Sequence, residues 1–121
     1  MSPTVRGAVP DDRVAVARVV DAAMLERGRD VADAIDAGDV LAAAADGTVV
    51  GALVLDGDRI DAVAVRRRRR GQGVGTALVE AALDRRGRLT ADFDPRVRPF
   101  YESLGFDVER RDGRLWGVRD E

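Results

Sequence analysis

Apolar residues recur along this chain with two periods, and the period switches several times. From Thr4 to Val9 they alternate with polar ones, as in a half-buried strand. Pro10-Asp11-Asp12 reads as a helix start, with Pro in the first turn and acids near the N-terminus. Val14, Ala17, Val20, Ala23 and Met24 follow at helical spacing, which predicts an amphipathic helix over residues 11–25. Residues 26–38 are polar apart from a short stripe of Val31, Ala34 and Ile35, and predict a loop plus a short helix. Strands are predicted from Asp39 to Ala45, Thr48 to Leu55 and Arg59 to Val65. Asp46-Gly47 and Asp56-Gly57-Asp58 join them as hairpins, so the three form an antiparallel meander.

After Val65 the pattern changes. Val74, Ala77, Leu78, Ala81 and Ala82 make one helical face, with Glu80 and Asp84 opposite and Gly87 as the stop. Arg88 to Phe93 is a short strand, and Pro95 to Leu104 a second helix capped by Gly105. Phe106 to Arg110 and Arg114 to Arg119 form a last hairpin through Asp112-Gly113. The order is βααβββ, then αβαββ. The 121 residues fit one domain, residues 1–121, with no repeat or linker. The fold class expected is α/β (α+β), with a mixed, mostly antiparallel central sheet and flanking helices.

Composition adds exclusions. A 45% hydrophobic and 35% charged chain is expected to be globular, and its net charge of −2 argues against a surface devoted to nucleic acid. The apolar runs Val40 to Ala45 and Val49 to Leu55 are too short to span a bilayer. The first residues lack the apolar core of a signal peptide, so a cytoplasmic location and no membrane partner are the expectations. The chain has no Cys, His, Lys or Asn. That removes thiolate nucleophiles, Ser-His-Asp triads, imidazole and thiolate zinc sites, Schiff bases and lysine-dependent phosphate loops. No tight acid cluster suggests a metal. All 20 basic residues are Arg and Asp outnumbers Glu, a bias that a GC-rich genome or adaptation to high salt would give.

One stretch concentrates the chemistry. Arg70-Gly71-Gln72-Gly73-Val74-Gly75 follows a strand and opens a helix at Thr76. Glycines at alternate positions let backbone N–H groups approach a ligand, and the helix presents its positive end there. Arg66 to Arg70 add charge. The site reads as one for an anion, most simply phosphate. A dinucleotide fold needs Gly-x-Gly-x-x-Gly directly after its strand, but Thr76 and Leu78 stand where the third glycine belongs. Asp92 and Asp94 do lie about 20 residues downstream, as that fingerprint asks. Five arginines could bind nucleic acid, but no aromatic residues are interleaved to stack bases.

A second motif stands further on, Phe100-Tyr101-Glu102-Ser103-Leu104-Gly105-Phe106. Together the two motifs resemble those of the GNAT superfamily of acyl-CoA-dependent N-acyltransferases, and the resemblance extends over the strand order. It implies a splayed central strand pair and acetyl-CoA as co-substrate. It implies that the backbone of Gly71, Gln72, Gly73, Val74, Gly75 and Thr76, with Arg70, holds the CoA pyrophosphate. It places the pantetheine arm along Val63 and Val65, gives Tyr101 the proton for the departing thiolate, and puts Asp61 where a base handles the amine proton. Asp94 stands where many members have a pantetheine-contacting Asn. A homodimer and a small-molecule or peptide amine acceptor are further implications. Against these stand plainer readings: Tyr101 as a core tyrosine, Asp61 as a solvent-facing carboxylate, Trp116 as core or acceptor lining. A non-catalytic acyl-CoA-binding module and an arginine-driven nucleic-acid binder are the rival functions.

Overall fold

The computed structural model of the protein describes residues 3–22 and 29–121. The expected helix end at Ala23 and Met24, and the start of the loop after it, lie outside the described residues. The first strand is β1 (Thr4–Gly7), followed by a 3-10 turn, Pro10–Asp12, and helix α1 (Arg13–Ala22). Then come α2 (Val31–Asp36), β2 (Val40–Ala45), β3 (Thr48–Asp56) and β4 (Arg59–Val65). A 3-10 turn at Arg67–Arg69 leads into α3 (Val74–Arg86) and β5 (Arg88–Phe93). Another, at Pro95–Val97, leads into α4 (Arg98–Ser103), β6 (Asp107–Arg111) and β7 (Arg114–Asp120).

Two predicted helices differ at their starts for one reason. Pro10 and Pro95 each open a 3-10 turn, and the α-helix begins only after it. In the second case Pro99 adds a constraint. It has no N–H to donate back along the chain, so one helix from Pro95 to Leu104 is not available, and α4 starts afresh at Arg98.

The strands form one sheet in the order β1-β2-β3-β4-β5-β7-β6. Every pair is antiparallel except β4 with β5. Both faces of the sheet are covered around β3, which explains its near-continuous apolar run. One core joins Leu53 and Leu55 to Leu78, Leu89, Phe93, Tyr101 and Leu115, beneath α3 and α4. The other joins Ala52 and Val54 to Val16, Val20, Ile35 and Ala62, beneath α1 and α2. Between β3 and β4 the register slips: Val54 faces Ala62 and Leu55 faces Ile60, leaving Asp61 as the extra residue of a β-bulge.

Candidate functional site

β4 and β5 begin side by side and then part. They share only Arg59↔Thr90 and Ile60↔Ala91, and no pair beyond. Arg66 N–H donates to the Val50 carbonyl at 2.8 Å. Bonding positions alternate along an antiparallel ladder, so Ala64 and Ala62 share that phase. Val63 and Val65 therefore turn their N–H and C=O groups the other way, into the gap. The Val65 carbonyl accepts from Arg70 Nε at 3.3 Å, which fits that direction. The gap opens a cleft of about 970 Å³, walled by β4 from Ile60 to Val65, the glycine turn, and Phe93, Phe100 and Tyr101.

The turn itself is shaped by backbone conformation. Gly71 and Gly73 have φ of 77° and 83°, the left-handed region that disfavours a side chain. A Cβ on either would meet nothing within 4 Å, so the space above the turn is open. Gly73 is the N-cap of α3 and offers no side-chain oxygen. The first intrahelical bond runs from Ala77 N–H to the Gly73 carbonyl. The N–H groups of Val74, Gly75 and Thr76 precede it and have no partner within the helix. All three residues line the cleft. An anion there would satisfy them. Gly75 has a different reason to be glycine: its Cβ would stand 3.1 Å from Phe100 Cε1.

The arginines divide. Arg69 and Arg70 line the cleft. Arg66 donates through Nε to the Val49 carbonyl at 2.9 Å, and Arg67 and Arg68 are exposed. The Gln72 amide donates to the Arg68 carbonyl at 3.2 Å, so its side chain braces the turn from behind.

Tyr101 is only 6% exposed and lies on the cleft wall. Its ring stacks on Phe93 with centroids 4.2 Å apart, and meets Phe100 and Phe106 edge-on at 5.1 and 5.2 Å. Burial pushes its phenol up to about 12, so the proton stays on the oxygen at neutral pH. Asp61 is not solvent-facing, since its side chain is 3% exposed. One carboxylate oxygen accepts from Arg59 Nη2 at 3.0 Å, the other from the Arg29 N–H at 3.2 Å. Asp94 caps the turn after β5, accepting from Arg96 N–H at 2.9 Å and from Arg96 Nε at 3.0 Å. Those bonds, the backbone one first, hold its carboxyl below the usual range.

Some of this had no signal in the sequence. Phe93 lies eight positions before Tyr101 and is its closest ring. Asp92 and Arg114 form an ion pair on the cleft wall. Trp116 lies under the Arg111 guanidinium, 5.1 Å from its ring centroid, and is not part of the wall. Among the described residues no group of three or more acids is placed to hold a metal, and no helix is long and apolar enough to cross a membrane.

A family model described as "Acetyltransferase (GNAT) domain" matches residues 36–108, more than half of the chain. A sequence search of curated proteins gives no significant match. Among solved structures, N-acetylglutamate synthase from Neisseria gonorrhoeae, complexed with coenzyme A and N-acetyl-glutamate, superposes with a TM-score of 0.83 at 18% identity. The match covers 99% of this chain and 35% of the synthase, so the protein spans about a third of that enzyme's length. Ard1 from Thermoplasma volcanium gives 0.81 at 22% identity, with 99% of this chain and 98% of that one covered. Rv2747 from Mycobacterium tuberculosis, in a complex containing CoA, gives 0.81 at 20% identity over 98% and 99% of the two chains. At these identities the likeness is one of fold.

Proposed function

The chain belongs to the GNAT acetyltransferase family, and from that premise we propose that it transfers an acetyl group from acetyl-CoA to a primary amine, by direct attack in a ternary complex. The observation that carries the proposal is the parting of β4 from β5 after two paired residues. It leaves an unpaired strand edge facing a cleft whose other end is an uncapped helix N-terminus.

Each part of acetyl-CoA has a matching surface. The pyrophosphate sits on the N–H groups from Gly71 to Thr76, with Arg69 and Arg70 beside it. The pantetheine amides pair with β4 through Val63 and Val65, and Arg70 leaves the Val65 carbonyl for the phosphates. The amine nitrogen attacks the thioester carbonyl carbon. A backbone N–H of β4 steadies the resulting oxyanion, since the strand's one side-chain donor, Arg59, lies off the cleft wall and is turned to Asp61. The C–S bond then breaks, and Tyr101 gives its proton to the CoA sulfur. The amine's proton leaves through a water to Asp61, which lines the cleft and has a lone pair left on each oxygen beside its bonds to Arg29 and Arg59. No acyl-enzyme is needed. The chain has no Cys, and Ser103 lies outside the cleft with its hydroxyl donating to the Phe100 carbonyl at 2.7 Å.

The test has two arms. Acetyl-CoA at 100 times its dissociation constant adds about 2.7 kcal/mol to stability, on the order of 10 °C in melting temperature for a domain of this size. Release of free CoA is then followed across a panel of amines. Amino acids go first, since the gonococcal synthase complex contains N-acetyl-glutamate; peptide N-termini and polyamines follow. Stabilisation without CoA release from any amine would make the protein a binding module. No stabilisation by acetyl-CoA, beside a shift with NAD, would overturn the proposal.

A further inference from the structure

The chain has three Phe and one Tyr, and all four rings pack together. The cluster has a tight spot at a strand residue that does not line the cleft. Gly117, in the middle of β7, sits opposite Ala91 of β5 and Val108 of β6. A Cβ there would stand 3.1 Å from Phe93 Cε1 and 3.2 Å from Phe106 Cδ2. Its backbone is in no left-handed conformation, so nothing but these two rings demands glycine. Both rings are buried, at 4% and 5% exposure, and both lie against Tyr101.

From this we infer that Gly117 is a positioning residue for Tyr101: the missing side chain lets Phe93 and Phe106 seat the phenol at the cleft. The inference rests on the proposed role of Tyr101 as the proton donor to sulfur. Gly117 is not on the cleft wall, and neither is Phe106. Gly117 therefore acts on the reaction only through the rings. A methyl group at that position forces them to give by a few tenths of an ångström. Tyr101 is the next object in their path, because it stacks face to face on Phe93.

The experiment is Gly117→Ala, read in two ways. The first is steady-state kinetics with acetyl-CoA and an accepted amine. A misplacement of 1 Å costs about 10²-fold in rate, so a shift of a few tenths predicts a loss of roughly 3- to 10-fold in kcat. KM for acetyl-CoA should change less than kcat, since the variant replaces no lining residue and Phe93 is the one crowded ring that lies on the wall. The second reading is independent of activity. With a single tyrosine in the chain, ring-labelled Tyr gives one set of NMR signals, and stacking on Phe93 at 4.2 Å shifts them. In Gly117→Ala those signals should move, and Phe106→Leu added to it, which removes one of the two crowded rings, should recover part of the rate.

Unmoved signals together with an unchanged kcat would overturn the inference. So would a rise in acetyl-CoA KM equal to the loss in kcat. If Gly117→Ala does not fold, Phe106→Leu alone must still shift the signals and lower kcat, or the inference fails. Failure of the underlying acid role looks different: Tyr101→Phe would keep the parent rate while Gly117→Ala still moved the tyrosine signals.

Discussion

Replacing Tyr101 by Phe removes one oxygen and leaves the ring. The structure says how little else changes. The ring keeps its stack on Phe93 at 4.2 Å and its two edge contacts at 5.1 and 5.2 Å. Among the described residues the hydroxyl forms no hydrogen bond, and no buried side-chain oxygen is left without a partner, so the oxygen looks out into the cleft. Its removal therefore strands no buried group, and stability should stay within about 1 kcal/mol of the parent. The rate is another matter. A lost general acid costs about 10²–10⁴-fold, or roughly 3–5 kcal/mol of transition-state stabilisation at 1.36 per decade. Acetyl-CoA affinity should hold within a few-fold, because the proton matters only as the thiolate leaves. With the phenol pushed up to about 12, the parent's rate should show no loss from tyrosine ionisation below pH 10. The assay is CoA release for rate and calorimetry for affinity. A variant at the parent rate makes Tyr101 structural. A variant losing rate and affinity together makes it a binding group. Either outcome refutes the acid role.

Gly73→Val should raise the dissociation constant for acetyl-CoA more than 100-fold while costing about 1–3 kcal/mol of stability through its φ of 83°. Gly47→Val, at φ 79° in the β2–β3 hairpin and equally open, carries the same strain as a control and should bind normally in the same titration. Asp61→Asn keeps an oxygen for the Arg29 N–H but loses the charge; its rate should fall and recover in part at higher pH, where more amine is already neutral, and a flat ratio to the parent across pH would leave Asp61 no part in proton transfer. Asp12, bound by Arg6 at 2.6 Å, is lowered to about 2, so its contribution is present above the unfolded value of about 3.9 and lost as pH falls through about 2. The full shift would correspond to about 2.5 kcal/mol, and with Arg6 43% exposed about 1 kcal/mol is expected; Arg6→Ala should cost that much at pH 7 and almost nothing near pH 2 in denaturant melts.

What the sequence revealed and what it hid follow a physical line. Elements were legible because period is local: the alternation in β4 and the helical face of α3 can be counted along the chain. The turn was legible because a left-handed φ at Gly71 and Gly73 is a property of single residues. Gly75 and Gly117 look the same on paper, yet their reason is a ring brought up from elsewhere in the chain. Gln72 stands inside the motif, and only the fold shows its amide turned to the Arg68 carbonyl. Phe93 comes from strand β5 to Tyr101 on helix α4, with nothing in its neighbours to announce it. Local conformation was readable; contact across elements was not.

Asp61 joins the two kinds of information. It is the extra residue where β4 slips against β3, and β5 stops pairing with β4 one position before it. A bulge bends its strand and increases the twist. Bending β4 there carries its remaining residues away from β5, so the bulge and the gap are one event. The carboxylate fixes that event in place: Arg59 holds one oxygen from the same strand, and the Arg29 N–H holds the other from the segment before α2. Past this point the sheet has a strand edge with nothing to pair, inside the molecule and beside a helix N-terminus. Unpaired backbone is costly when buried, and the cleft is the arrangement that keeps it open to a ligand. In a chain lacking Cys, His, Lys and Asn, a strand that ceases to pair adds backbone donors and acceptors to the Arg, Asp, Thr and Tyr side chains of the cleft. Asp61 shapes the site whether or not it also takes a proton, and that is why the charge and the hydrogen bonds of this residue have to be tested apart.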